Sequence, residues 1–119
     1  MKTIIAGSRT ITEYAVVAEA VEASGFRITR VVSGRAKGVD QLGELWADNH
    51  GIPWESFPAD WNQYGPQAGY IRNVRMAIHA EALIAVWDGF SRGTQHMIDI
   101  ARKRSLKVYA HRVYPQDQK

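Results

Sequence analysis

Short apolar runs alternate with stretches of helical periodicity along most of this 119-residue chain. Lys2–Ala6 is an apolar run that stops at Gly7, as a buried strand does. From Thr12, a capping residue, Ala15, Val16, Ala20 and Val21 recur at helical spacing, and Gly25 supplies a stop after Ser24. Ile28–Val32 is β-branched and predicts a second strand. The spacing predicts a helix from Asp40 to Asn49, with Leu42, Leu45 and Trp46 on one face and Gly51 beyond its end. Pro53–Phe57 reads as a third strand, and Pro58–Gly65 as an irregular aromatic stretch. Pro66 suits a first helical turn, and the helix after it carries Ile71, Val74, Met76 and Ile78. Ala82–Trp87 is continuously apolar, which predicts a central strand. Thr94 caps a last helix to Arg104 with Met97, Ile98 and Ala101 inward, and Leu106–Ala110 forms a last strand. From there to Lys119 the chain reads as a polar tail.

Strict strand–helix alternation implies an α/β, Rossmann-like three-layer sandwich with a five-stranded parallel sheet. The length suits one domain, taken as residues 1–111 with 112–119 as its tail. The apolar share of 45 % suffices for a core. No stretch reaches the roughly 20 apolar residues of a membrane span, and the N-terminal run is too short for a signal peptide, so a cytoplasmic protein is expected. There is no cysteine, and the four histidines show no metal-ligand spacing with carboxylates, so neither metal nor cofactor is expected. The net charge of +3 favours anionic partners only mildly. Part of it lies in Arg102, Lys103, Arg104 and Lys107, where cations complement a helix C-terminus.

In such a sheet, ligands bind beyond the carboxyl ends of the strands, where strand order reverses. Three loops follow strand ends there: Gly7-Ser8-Arg9, Ser33-Gly34-Arg35-Ala36-Lys37-Gly38-Val39-Asp40, and Asp88-Gly89-Phe90-Ser91-Arg92-Gly93-Thr94. Glycine permits close backbone approach, and the N–H groups that open the following helix attract an anion. Ser8, Ser33, Ser91 and Thr94 add hydroxyls; Arg9, Lys37 and Arg92 add charge. The pattern fits a phosphate. Ser33 and Thr94 serve equally well as helix caps. Asp40 suits a ribose hydroxyl or a cap, and Asp88 suits a general base, a ribose ligand or a plain turn. Arg72 and Arg75 share a face early in a helix, where cations gain nothing from the dipole, which favours phosphate contact by Arg72. Asn73 beside it orients a ribose or ties a loop. Trp61 and Tyr64 stack on a base, cover the sheet or bury a dimer interface.

These stretches resemble the SLOG superfamily, named for the Smf/DprA and LOG proteins, and most closely its small YspA-type, cpYpsA-related domains. The resemblance rests on IIAGSR at 4–9, VVSGRAKGVDQLGE at 31–44, FPADW at 57–61, GYIRN at 69–73 and ALIAVWDGFSRGTQHMIDIA at 82–101. It implies a Rossmann-like fold and a nucleotide-derived ligand. The GSR loop, the SGxAxGxD loop and the RNxR at 72–75 are similar to DprA, which binds single-stranded DNA. The RN segment and GT loop are similar to LOG, a cytokinin-activating phosphoribohydrolase. In LOG an arginine matching Arg72 and a glutamate three residues after the GT threonine act in catalysis. Met97 holds the glutamate position here, and a thioether cannot do a carboxylate's work. Ser91-Arg92-Gly93 also replaces LOG's double glycine.

The expected function is therefore binding of a nucleotide-like small molecule by a sensor or sequestering module. The ligand-binding residues are Gly7, Ser8, Arg9, Ser33, Gly34, Lys37, Gly38, Asp40, Arg72, Asn73, Asp88, Ser91, Arg92, Gly93 and Thr94. One alternative is cleavage of a nucleotide's N-glycosidic bond, with Asp88 and Arg72 as catalytic candidates. The other is a DprA-like single-stranded nucleic-acid binder, which the modest charge and short chain disfavour. A homodimer is expected from the LOG-type resemblance and from four tryptophans in so small a chain.

Overall fold

In the computed structural model, residues 1–114 are described. The strands are β1 (Lys2–Gly7), β2 (Arg30–Ser33), β3 (Trp54–Ser56), β4 (Ala82–Trp87) and β5 (Lys107–Arg112). The helices are α1 (Tyr14–Ser24), α2 (Val39–Asn49), α3 (Trp61–Tyr64), α4 (Ala68–His79) and α5 (Arg92–Lys103). All strands pair in parallel, in the order β3-β2-β1-β4-β5. The chain winds outward from β1 to β3 and then returns to the other side of β1. Strand order therefore reverses between β1 and β4.

Alternation along the two central strands builds two cores. Ile4 and Ala6 of β1 join Leu83 and Ala85 of β4 against Met76, Ala77, Met97, Ile98 and Ala101 of α4 and α5. Ile5, Ile84 and Val86 face the opposite way and pack with Val17, Ala20, Val21, Val39, Trp46 and Ala47 of α1 and α2. Both faces of β1 and β4 are covered, which explains their unbroken apolar runs. Gly43 lets α2 lie tightly on β1: a Cβ there would come within 2.7 Å of Ile5 Cγ2.

Several elements differ from expectation. Pro58–Gly65 contains the short α3, because Asp60 Oδ1 accepts from the Gln63 N–H at 3.1 Å and starts a turn. Pro66 sits in a 3-10 turn, Gly65–Gln67, ahead of α4. The cap of α1 is Glu13, not Thr12, and makes no side-chain bond. The cap of α5 is Ser91, which accepts from the Thr94 N–H. β2 begins at Arg30, where its pairing with Lys2 of β1 begins, so Ile28 precedes it. β5 continues to Arg112, since β4 offers partners as far as Trp87. The inward stripe of α2 is Val39, Gly43, Trp46 and Ala47, which turns Leu45 to the surface. That of α4 is Asn73, Met76 and Ala77, which leaves Ile78 60 % exposed. Val17 takes the inward place on α1 expected of Ala15 and Val16. The tail residues 115–119 lie outside the described residues.

Candidate functional site

Beyond the carboxyl ends of β1 and β4 lies a cleft of about 420 Å³, a size in the small-molecule range. Its floor is apolar, with Ala6, Met76 and Met97. Its rim is the Gly7–Thr10 loop on one side and the Asp88–Thr94 segment on the other. Gly7 permits this geometry, because a Cβ there would fall 2.0 Å from the Val86 carbonyl oxygen. Gly38 brings the second loop beneath the first. It has φ +77°, and a Cβ would stand 2.6 Å from both the Ser8 and Arg9 carbonyl oxygens.

Two opposite charges sit at the centre. Asp40, 4 % exposed in the first turn of α2, accepts from the Ala36 N–H at 3.3 Å. Burial pushes its pKa up to about 6, against the opposing pull of Arg72 and the N–H groups of Ala36 and Gly7. Arg72 reaches over from α4. Its Nη1 donates to the Gly34 carbonyl and its Nε to Asn73 Oδ1 at 3.0 Å. Burial lowers its pKa, and Asp40 opposes that shift. Gly34 makes room for both groups. A Cβ there would lie 2.6 Å from Arg72 Nη1 and 2.8 Å from Asp40 Oδ2.

Most of the loop hydroxyls tie the walls together. Ser8 Oγ accepts from the Asp88 N–H at 3.1 Å, joining β1 to β4. Ser33 Oγ donates to Glu44 Oε2 at 2.6 Å and accepts from the Arg35 N–H. Ser91 and Thr94 share a hydrogen bond of 2.9 Å at the start of α5. Asp88 Oδ1 accepts from the N–H groups of Phe90 and Ser91 at 2.7 and 3.0 Å. Burial raises the Asp88 pKa, but these bonds and the Ser8 hydroxyl outweigh it and hold the carboxyl below its ordinary value. Asn73, also buried, donates to the Gly93 carbonyl at 3.3 Å and to His96 Nδ1 at 3.1 Å. Burial lowers the His96 pKa, with Asp99 opposing. Among the described residues no group of three or more His, Asp or Glu is placed to hold a metal ion.

Residues 1–64, more than half the chain, match the YAcAr family, described as the YspA, cpYpsA-related SLOG family. The chain belongs to this family. The Gene 61 protein of Mycobacterium phage D29 is 30 % identical to this SLOG chain over 117 residues, covering 90 % of it and 93 % of the phage protein. The crystal structure of DNA processing protein A (DprA) from Streptococcus pneumoniae superposes with a TM-score of 0.72 at 18 % identity. That match covers 92 % of the SLOG chain and 49 % of DprA, so the chain spans about half of DprA's length. At this identity the likeness is one of fold.

The SLOG fold gathers Gly7, Ser8, Arg9, Asp40, Arg72, Asn73, Asp88, Ser91, Gly93 and Thr94 around the cleft. Gly34 lines an adjoining recess instead. Ser33 is fully buried on Glu44, and Gly38 supports the first loop from below. Lys37 and Arg92 are exposed and line none of these hollows. Sequence reasoning missed Thr10, Ala36 and Phe90 on the rim and Met76 on the floor. Only Phe90, an apolar ring in a polar loop, carried a signal of its own. Three of the four tryptophans have partners within the chain. Trp46 stacks on His50, Trp54 donates to Asp48 Oδ1, and Trp87 donates to the Ser91 carbonyl. Trp61 is 51 % exposed. The basic run ends α5 with exposed Arg102 and Lys103, as the dipole favours. No helix among the described residues is long and apolar enough to cross a membrane.

Proposed function

We propose that this SLOG domain binds a nucleotide-derived ligand in the β1–β4 cleft, as a sensor or sequestering module. The observation that carries this reading is Arg72, which borders the cleft and all three recesses beside it. Two of its nitrogens are fixed by protein acceptors, so its guanidinium is pre-oriented for a phosphate. Arg9 adds a second cation, Asp40 offers an acceptor for ribose hydroxyls, and Gly93 opens α5 at the rim. The apolar floor suits a base.

A second reading, hydrolysis of a nucleotide's N-glycosidic bond, draws on Asp40. A carboxyl with a pKa near 6 in a cleft suits acid–base work. Against it stands Met97, 1 % exposed in the floor, where LOG-like enzymes place a glutamate. Asp88, the other candidate base, is engaged in its turn and weakened as a base by its lowered pKa. DNA binding, suggested by the name of the DprA neighbour and by the DprA-like loops, has a net charge of only +3 to draw a polyanion.

A thermal-shift screen with AMP, ADP, cyclic AMP, NAD and ADP-ribose tests the first reading. A ligand present at 100 times its Kd stabilises the folded state by about 2.7 kcal/mol, which raises the midpoint by several degrees. Arg72→Ala should remove that rise. No shift with any of the five at millimolar concentration refutes a nucleotide cleft. Release of free adenine from AMP, abolished in Asp40→Asn, would establish the hydrolase instead.

A further inference from the structure

The cleft does not end at Arg72. Two smaller recesses, about 150 and 180 Å³, flank Trp61, and both are also lined by Arg9 and Arg72. The indole lies over Gly69: a Cβ there would be 3.5 Å from Trp61 Cη2 and 3.7 Å from Arg72 Nη2. Guanidinium and indole therefore meet above one glycine. Six large apolar side chains are markedly exposed among the described residues, and three of them line this trough. Phe90, 76 % exposed, stands at the end nearest β4; Trp61 and Tyr70 stand at the other. Lone apolar residues at a surface need no explanation, but exposed aromatic rings on neighbouring hollows that share the same two arginines do.

We infer that the site takes a dinucleoside-type ligand, with one base in the main cleft towards Phe90, the phosphates at Arg9 and Arg72, and the second base on Trp61. This rests on the nucleotide reading above and adds the second base. Aromatic faces stack on any base, and arginine both pairs with phosphate and tolerates a neighbouring ring. The main cleft accommodates one nucleoside, and the recesses beside Trp61 are too small for more than a ring.

Calorimetry with AMP, ADP-ribose, diadenosine diphosphate and octathymidylate tests the inference on the full chain. ADP-ribose differs from diadenosine diphosphate only in lacking the second adenine. Diadenosine diphosphate should bind roughly 5- to 150-fold tighter, the worth of one stacked base. Trp61→Ala should bring it down to the affinity of ADP-ribose and leave ADP-ribose unchanged, while Trp61→Phe should keep most of the gain. Equal affinities in the parent protein, or an equal loss of both ligands in Trp61→Ala, overturn the second-base site but leave the nucleotide reading standing. Octathymidylate binding tighter than diadenosine diphosphate overturns it in favour of a single-strand track. If none of the four probes binds, the nucleotide reading itself falls.

Discussion

At the residue scale, Asp40 is a charge whose burial costs stability. Its carboxyl is buried, with Arg72 as the nearby cation and Glu44 as a nearby like charge. A pKa raised from 3.8 to about 6 means that the folded state favours the protonated form. Below about pH 4 the residue is neutral in both states and costs nothing. Between about 4 and 6 the folded chain holds a proton that the unfolded chain releases, so stability falls as pH rises. Above that window the cost reaches about 3 kcal/mol. Asp40→Asn should therefore be more stable than the parent at pH 7.5 by an amount approaching this figure, and similar to it at pH 4. His96, whose pKa burial lowers, acts in the opposite direction near pH 6 in both proteins. The difference between their urea midpoints isolates Asp40. A difference that does not change with pH would show that the carboxyl is not held out of water. Stability given up at a binding cleft in this way is common where a charge awaits a partner.

At the scale of elements, the cleft depends on α4 and α5 keeping their register. Asn73 sets it. Its amide bridges the Gly93 carbonyl and His96 Nδ1 on α5, and its oxygen accepts from Arg72 Nε on its own helix. It is 5 % exposed, and its loss takes a partner from three polar atoms, on Gly93, His96 and Arg72, at the edge of the cleft. Asn73→Ala should cost roughly 2–3 kcal/mol, read as a lower urea midpoint at unchanged slope. It should also weaken nucleotide binding, because Arg72 loses one of its anchors. A change under about 0.5 kcal/mol would show that packing alone holds the two helices. Asn73 was expected beside the site from its sequence neighbour Arg72. Its job was not legible, because the partners lie 20 and 23 residues away.

At the scale of the whole molecule, the two cores share β1 and β4, so neither can melt alone. The radius of gyration is 13.1 Å, close to the roughly 13.5 Å expected of one domain this long. We expect a single cooperative unfolding transition, with tryptophan fluorescence and far-ultraviolet circular dichroism coinciding in urea. Trp46 reports on the α1–α2 side and Trp87 on the α4–α5 side, so separate transitions would expose two units.

Local signals were enough for the five strands, the long helices and the parallel sheet, because apolar runs and helical spacing are written in neighbouring residues. Gly25 as a helix stop is such a signal, and its φ of +68° bears it out. The chain also shows by itself that glycine-rich loops follow β1, β2 and β4. What each loop residue does was decided by the tertiary structure. Ser8, Ser33 and Ser91 look alike as loop hydroxyls, yet one joins two strands, one is sealed on Glu44 and one caps a helix. Leu45 and Ile78 look like core residues, but the stripes that met the sheet were their neighbours'. Gly7, Gly38 and Gly43 are required by backbone and side chains far along the chain, at contacts no local pattern encodes. The trough from Phe90 to Trp61 exists only because β4 returns beside β1 and brings α4 across the end of the second loop. Periodicity determines elements, since it acts over one turn or one pleat. The site is held by contacts between groups 20 to 80 residues apart, and only the folded sheet sets their distances.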